Sequence, residues 1–497
     1  MADVSVPRGP TPGLKFGTPA GRWVVTATVL GSGIASVDAT VVGIAMPTIG
    51  RDFHAQVASL QWIVNAYTLT LAGLLLFGGG LGDRIGRKRV FLIGTIWFAV
   101  ASLGCALAPG VGTLVLARGL QGVGAALLVP GSLAILEASF VPADRSRAIG
   151  AWSGLGGVAT AIGPFIGGWL ISAVSWRLVF FINIPLAIVV ILVALRHVPE
   201  SRDPNAGGRL DLPGTIAVTG GLIGLSYGLI EGPAQGWTSA RVLVALIAGV
   251  LLLGAFIFIE GHIRFPMLPL SVFRSRQFSA ANAVTFVVYG ALGGGLFLLP
   301  IVLQNVAGYT PLESGIALLP VTAIMLGLSA RFGALAARIG PRLQMSAGPV
   351  VVGIGLALLA RLTQEGNYAT EVLPAVIVFG LGLAITVAPL TSTALSSAPP
   401  EQAGIASAIN NDVARAAGLI AVAVLPFAAG ITGDVYLHPL ALVHGFRIAV
   451  SISAVACVAA GLLAAATIRN RPRTDEVSTQ DISCPLDGPP LQNQRVS

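Results

Sequence analysis

The sequence predicts an all-α integral membrane protein with fourteen transmembrane helices. Of its 497 residues, 55% are hydrophobic and only 10% are charged, whereas an average soluble protein has about 25% charged residues. Apolar runs of about 20 residues recur along the chain, and each is long enough to cross about 30 Å of hydrocarbon as a helix. No run alternates between apolar and polar residues with the period of two that is typical of membrane strands.

These runs follow one another with short gaps. They cover residues 23–46, 59–81, 90–108, 112–136, 148–172, 177–197, 212–231, 240–260, 279–304, 314–334, 343–361, 372–396, 403–430 and 446–468. Lipid offers no hydrogen-bond partner to the backbone, so each run is expected to be helical. The first run is not expected to be a cleavable signal peptide, because it contains Asp38, is too long and lacks a small-residue cleavage site.

Lysine and arginine are concentrated in alternate loops. One set of loops carries clusters such as Arg84, Arg87, Lys88 and Arg89, whereas the intervening loops carry isolated bases such as Arg51. By the positive-inside rule, the clustered loops and both termini are predicted to lie on the cytoplasmic side of the cell membrane. Topology therefore explains the net charge of +8, and no nucleic-acid partner is expected.

The chain contains an internal repeat. GGLGDRIGRKR after the second run is echoed by GALAARIGPR after the tenth, and residues 129–157 are echoed by residues 388–418. Parallel six-helix halves are a recurrent plan of transporters. We therefore predict five parts: a cytoplasmic N-terminal tail (1–22), an N-terminal six-helix bundle (23–197), linkers with two inserted helices (198–278), a C-terminal six-helix bundle (279–468) and a disordered cytoplasmic tail (469–497).

The loop GGGLGDRIGRKRV, residues 78–90, combines glycines, one acid and four bases. A tight turn favours glycine, and Asp83 can bind backbone amides or pair with a base of the loop. The loop resembles the GxLaDrxGrk signature of the major facilitator superfamily. The resemblance implies a latch between the cytoplasmic ends of the two halves, formed by Gly79, Asp83, Arg84, Gly86 and Arg87. A simple topology signal would explain the bases but not the acid or the glycine spacing.

Further segments resemble motifs of the same superfamily in the expected order. LVLARGLQGVGAA (114–126) resembles its helix-4 motif, and GPFIGG (163–168) resembles the end of its helix-5 antiporter motif, with Ala159 at an earlier glycine position. Segments 37–47, 175–186 and 403–418 resemble its fourteen-helix drug:proton antiporter subfamily. The resemblance implies a major facilitator fold and an antiporter motif at Gly163, Pro164, Gly167 and Gly168, although these residues also suit close helix packing.

Charged residues inside the spans are candidates for function, because each costs about 2.5 to 3.5 kcal/mol to insert. Asp38 and Arg118 are predicted at a similar depth, about 9 to 14 Å below the outer surface. Gln61 and Asn65, with Thr68, form a polar stripe on the second helix. These residues predict a polar cavity.

Two roles remain open for Asp38. It is either the acid at which proton and substrate compete, or a carboxylate that pairs with Arg118 and orients helices. The resemblance implies a proton-coupling role for Arg118, with a structural role as the alternative. Asp412 and Arg415 are separated by three residues in the thirteenth run, where they can pair with each other. A pair closed within one helix favours a structural role over one in coupling or substrate binding.

The sequence thus predicts a proton-coupled multidrug efflux antiporter that exports hydrophobic, often cationic compounds by alternating access. Its expected partners are the substrate, protons and the lipid bilayer, and we expect a monomer without cofactor or metal. ATP is not expected to drive transport, because no GxxxxGK[ST] phosphate loop is present. The alternatives are a dedicated metabolite or antibiotic exporter and a solute uptake permease of the same superfamily. A polytopic membrane enzyme is more remote, because the five histidines are scattered.

Overall fold

The computed structural model describes residues 13–203, 210–264, 266–398 and 402–470. It contains fourteen helices that are long and apolar enough to cross a membrane, which confirms the predicted number of spans. Within the described residues the only β-pairing is an isolated bridge between Leu14 and Phe140. The all-α prediction is therefore confirmed.

Within the described ranges the spans are built from sixteen α-helices. In chain order they are α1 (Pro19–Asp52), α2 (Val57–Ile85), α3 (Arg87–Ala106), α4 (Val111–Ser139), α5 (Pro142–Ala173), α6 (Leu178–Phe181), α7 (Asn183–His197), α8 (Leu212–Gln235), α9 (Ala240–His262), α10 (Arg276–Asn305), α11 (Pro311–Ala317), α12 (Leu319–Ile339), α13 (Arg342–Leu359), α14 (Leu373–Ser396), α15 (Ala403–Ala428) and α16 (Pro439–Thr467). The pair α6 and α7 forms one span, and the pair α11 and α12 forms another.

Caps and prolines set helix boundaries that hydropathy does not define. The first helix begins at Pro19 rather than at residue 23, because the Thr18 hydroxyl accepts a hydrogen bond from the Gly21 amide at 3.2 Å. Pro185 and Pro320 lie just after the two interrupted points, where each lacks the N–H that a continuous helix needs. Residues 1–12 and 471–497 of the predicted tails, and residues 204–209 of the first linker, lie outside the described residues.

The spans pack mainly within two groups. Helices α1 to α7 pack on one another, as do α10 to α16, and the principal contacts between the groups join α5 to α11, α2 to α15 and α1 to α10. The inserted helix α8 packs on both α2 and α15, whereas α9 packs chiefly on α8. We refer to these groups as the N-terminal and C-terminal helices.

The apolar core is shared by the two groups of helices on one side of the molecule and divided between them on the other. We call the side that carries the loop at Arg87 the basic face, and the other side the opposite face. Near the opposite face one cluster joins both groups and includes Ile44 and Val302. Near the basic face the core separates into one cluster around Phe91 and another around Phe278. The two groups are therefore joined at the opposite face and have separate cores toward the basic face.

Candidate functional site

A cavity of about 450 Å³ lies between the two groups of helices. Its volume is within the range of about 300 to 1,000 Å³ that is typical of small-molecule sites. Most of its lining is apolar, and the polar residues in the lining are Thr40, Asn65, Thr68, Thr160, Thr322 and Arg415. Of the predicted polar stripe, Asn65 and Thr68 line this cavity and Gln61 does not.

Asp38 lies beside the cavity but faces away from it. Its neighbour Ala39 lines the cavity, whereas Asp38 itself is 0% exposed. Its carboxylate accepts hydrogen bonds from Arg118 Nη1 at 2.5 Å, Gln121 Nε2 at 2.8 Å and Asn183 Nδ2 at 2.9 Å. The structure thus brings the two predicted in-span charges together, within a shell of donors from α4 and α7.

The guanidinium of Arg118 also donates to groups other than Asp38. Its Nε donates to the Ile63 carbonyl at 3.2 Å, and Nη1 donates to Gln121 Oε1 at 2.6 Å as well as to Asp38. The ring of Tyr67 lies 4.3 Å from the guanidinium carbon, a distance suited to a cation–π contact. A buried ion pair is tolerated when further hydrogen bonds support both partners, and both Asp38 and Arg118 form such bonds here.

Two residues of this network were missed by sequence reasoning. Gln121 lies one turn after Arg118, and Asn183 is an isolated amide within the apolar segment FFINIPL. Both also donate to the Ser102 hydroxyl, at 2.8 and 3.3 Å. A polar side chain inside an apolar run was the available signal, but hydropathy does not reveal which neighbouring helix such a side chain faces.

Side-chain amides of α2 bind the backbone of α15. Gln61 Nε2 donates to the Val422 carbonyl at 2.6 Å, and Asn65 Nδ2 donates to the Leu419 carbonyl at 3.1 Å. Both residues were predicted to form a polar stripe facing a cavity. Gln61 instead forms part of the contact between the two groups, and Asn65 both lines the cavity and forms such a contact.

The same kind of contact occurs between α1 and the C-terminal helices. Gln304 Nε2 on α10 donates to the Ile44 carbonyl at 2.9 Å. Outside the spans, the Tyr436 hydroxyl donates to the Ala55 carbonyl at 2.6 Å. Burial raises the pKa of Tyr436 above its ordinary value, so this phenol remains a donor. These contacts close the cavity toward the opposite face.

The glycines of the predicted antiporter motif lie where α5 meets its neighbours. Gly163 and Gly167 pack on α1, and Gly168 packs on α11. A Cβ atom at Gly168 would lie 2.6 Å from the carbonyl oxygen of Pro311, so only glycine allows this approach without a shift. Pro164 lines the cavity. The motif therefore forms part of the contact between the two groups of helices.

Asp412 and Arg415 do not form the predicted ion pair. No salt bridge joins them, although they attract each other through space, and Asp412 Oδ1 and Arg415 Nε are buried without a hydrogen-bond partner. Arg415 lies on the stripe of α15 that also includes Leu419 and Val422, and all three line the cavity. The spacing permits pairing within the helix, but the Arg415 side chain is instead part of the cavity wall.

The loop between α2 and α3 is fastened within the N-terminal half of the chain. Asp83 accepts a hydrogen bond from Arg87 Nε at 2.8 Å, and the Arg87 amide donates to the Ser201 carbonyl at 3.0 Å. Glu200 accepts from the backbone amide at the start of α3, at 3.1 Å. Gly86 has a φ of 122°, which favours glycine. The segment after α7 therefore clasps this loop.

The remaining predicted latch residues are Gly79 and Arg84. Gly79 packs near Pro130 of α4, and Arg84 is half-buried. No salt bridge among the described residues joins this loop to the C-terminal helices. The two groups have separate cores at this face, so the latch stays a prediction for a conformation in which the basic face is closed.

The chain matches the model of a known protein family. The model of the Major Facilitator Superfamily matches residues 28–423. This match extends from α1 to α15 and includes the cavity, the Asp38–Arg118 pair and the antiporter motif.

Similar proteins are named for resistance and export. The chain is 37% identical over 415 residues to the tetracenomycin C resistance and export protein of Streptomyces glaucescens, covering 82% of this chain and 76% of that protein. It is 34% identical over 481 residues to the puromycin resistance protein pur8 of Streptomyces alboniger, covering 93% and 94%. It is 36% identical to the multidrug resistance protein Stp of Mycobacterium tuberculosis, covering 80% and 74%.

Solved structures of transporters share the fold. A peptide transporter POT in complex with sulfate aligns with a TM-score of 0.65 and 16% identity, covering 92% of this chain and 96% of that one. A bacterial homologue of the human lysosomal transporter Spinster, in an inward-facing and unoccupied conformation, also aligns with a TM-score of 0.65 and 16% identity, covering 90% and 97%.

Proposed function

Because this chain belongs to the major facilitator superfamily, we propose that its central cavity binds hydrophobic drugs, which it exports by alternating access in exchange for protons. The chain is a multi-span drug efflux transporter and not an enzyme, since its relatives are resistance and export proteins. The observation that carries the proposal is a largely apolar cavity between two groups of helices that are joined at one face only.

We propose that the basic face is cytoplasmic and that the protein resides in the cell membrane with both termini inside. The clustered bases of that face support this orientation through the positive-inside rule. The conformation described here is then the one that loads substrate from the cytoplasm. Residues 23–197 and 279–468 would move as two bodies, and residues 198–278 would supply the inserted pair of helices.

We assign the proton to Asp38. In the loading conformation its carboxylate is held by Arg118 and by two amides, an arrangement that suits the ionised acid. A proton bound from the outer side would neutralise Asp38 and remove the partner of a buried guanidinium. Ala39 and Thr40 follow Asp38 and line the cavity, so a rearrangement of this turn reaches the bound drug. Direct competition at Asp38 would additionally require that the carboxyl group opens to the cavity.

The remaining candidate residues have supporting roles in this proposal. The glycines of α5 allow the close contact that closes the opposite face, and Gln61 and Asn65 hold α15 there. The Asp83 loop would hold the basic face closed in the outward-facing state. Asp412 lies one turn nearer the basic face than Arg415, where it would contact substrate or proton on entry.

A dedicated exporter of one antibiotic is a second candidate within the same mechanism. It is favoured by relatives that are each named for a single compound, tetracenomycin C and puromycin. An efflux panel of cationic, neutral and anionic compounds in an efflux-deficient host distinguishes the two. Export of many unrelated compounds indicates a multidrug transporter, whereas export of a single structural class indicates a dedicated one.

Inside-out vesicles test the proton exchange. With an acidic lumen and no ATP, the vesicles should accumulate a drug from the panel, and a protonophore should abolish the accumulation. Asp38→Asn should lose this gradient-driven uptake. Asp412→Asn is measured beside it, because it changes another carboxylate within a span in the same way. Accumulation that requires ATP and persists after the pH gradient is dissipated would refute proton exchange.

A further inference from the structure

The cavity is lined by a cation, Arg415, that forms no salt bridge within the described part of the chain. Of the described residues that line the cavity, Arg415 alone is charged. Its Nε is buried without a hydrogen-bond partner. The Arg415 side chain is half-buried, and a charge that is partly removed from water without an ion-pair partner is unfavourable. An anion that binds in the cavity would remove this cost.

The acids nearest to the cavity do not form an ion pair with Arg415. Asp412 is one turn away on the same helix and attracts Arg415 through space, but no salt bridge or hydrogen bond joins the two side chains, and Asp412 Oδ1 has no hydrogen-bond partner. Asp38 is already held by three donors behind the cavity wall. Within the described part of the chain, Arg415 therefore has no carboxylate bound to its guanidinium, and its N–H groups can donate to a bound molecule.

Further donors and apolar surfaces complete the site. Asn65 binds the Leu419 carbonyl, so these two residues lie at one depth. Thr68 follows Asn65 by three residues and Arg415 precedes Leu419 by four, so these steps lead about 4.5 and about 6 Å toward the basic face. Thr68 and Arg415 therefore lie at a common depth. Aromatic and thioether side chains form other parts of the wall, at Phe297, Met325 and Phe379.

We propose that the cavity selects hydrophobic compounds that carry a negative charge, such as a carboxylate or phenolate, and that Arg415 binds this group. The proposal rests on the proposed export function, because it names the substrate class of the same site. A guanidinium binds a carboxylate through two parallel hydrogen bonds, and the apolar wall accommodates the ring system. A cationic compound would meet a like charge at this position.

A matched set of fluorescent probes tests this selection. An anthracene carboxylate, its methyl ester and the corresponding aminomethyl anthracene share one ring and differ in charge. Binding is measured by fluorescence titration of the purified full-length protein in lipid nanodiscs. The acid should bind about tenfold or more tightly than either the ester or the amine, as expected for a charge-assisted hydrogen bond.

Variants then assign the preference to one residue. Arg415→Gln should remove the preference for the acid without changing ester binding, and Arg415→Lys should retain part of it, since it keeps the charge but not the planar fork. Arg361→Gln, at an exposed position after α13, controls for loss of charge elsewhere. Arg415→Gln that weakens acid and ester binding equally would overturn the assignment.

The comparison on the wild-type protein remains decisive even if Arg415→Gln fails to fold. An acid that binds no better than its ester, or an amine that binds best, overturns the proposal. Vesicle uptake separates this inference from the export function. Preferential acid binding without uptake would refute export alone, whereas export of all three probes without a binding preference would refute anion selection alone.

Discussion

Replacing Asp38 with asparagine tests the buried network most directly. The side chain keeps its shape, and its oxygen can still accept from Gln121 or Asn183, which donate to Asp38 at 2.8 and 2.9 Å. The ion pair with Arg118 is lost. We expect Asp38→Asn to insert into the membrane but to be strongly destabilised.

The expected magnitude follows from the burial of both partners. The side chains of Arg118 and Asp38 are 2% and 0% exposed, so water cannot replace the missing charge. Removing one partner of a buried pair costs about 3 to 5 kcal/mol, because the other charge is left uncompensated. Arg118→Gln together with Asp38→Asn removes both charges and should cost less than the sum of the single changes, by about 2 to 3 kcal/mol.

Titration with SDS in mixed micelles, followed by circular dichroism, measures these free energies of unfolding. Asp412→Asn is the matched control, since Asp412 Oδ1 has no hydrogen-bond partner, and it should unfold at the wild-type midpoint or above it. If Asp38→Asn unfolds within about 1 kcal/mol of the wild type, far below the loss expected for a broken buried pair, Asp38 and Arg118 are not an ion pair in this conformation. The proposed coupling step, in which a proton on Asp38 removes the partner of the Arg118 guanidinium, would then be refuted.

Other predictions concern the two faces. Gly168→Ala should weaken closure of the opposite face, since its Cβ would approach an α11 carbonyl oxygen. Gly154→Ala is the control and should not, because no atom lies within 4 Å of its Cβ. Labelling of a cavity cysteine by an impermeant maleimide from the outside reports the difference. Tyr436→Phe should increase the same labelling severalfold, because a buried hydrogen bond of about 1 kcal/mol is lost. Asp83→Asn should change the free energy of unfolding by less than about 1 kcal/mol, because its contact with Arg87 is partly exposed. It should nevertheless slow drug uptake by vesicles, and unchanged uptake would argue against a latch.

Much of the fold could be predicted because the bilayer imposes one requirement on every span. Each apolar run had to satisfy its own backbone hydrogen bonds, so length and hydropathy predicted fourteen helices. The ends of those helices depend on local features that hydropathy averages out. The cap at Thr18 and the proline near each interruption are examples.

The candidate site was less predictable because it depends on how helices face each other. The cost of a buried charge singled out Asp38 and Arg118, and their similar depth agrees with their contact. The direction of a side chain around its helix is set by tertiary packing, so Gln121 and Asn183 were missed. The spacing of Asp412 and Arg415 allowed an ion pair, but it could not show that the Arg415 side chain lies in the cavity wall instead.

The hydrogen bonds between the two groups of helices have a consequence for how such a transporter can evolve. Gln61, Asn65 and Gln304 bind the carbonyl groups of Val422, Leu419 and Ile44, and the side chains of those three acceptors line the cavity. A backbone acceptor remains when its side chain is exchanged. Mutations that reshape the binding pocket can therefore accumulate at these positions while the closing contact is preserved, so drug specificity can diverge separately from the transport cycle.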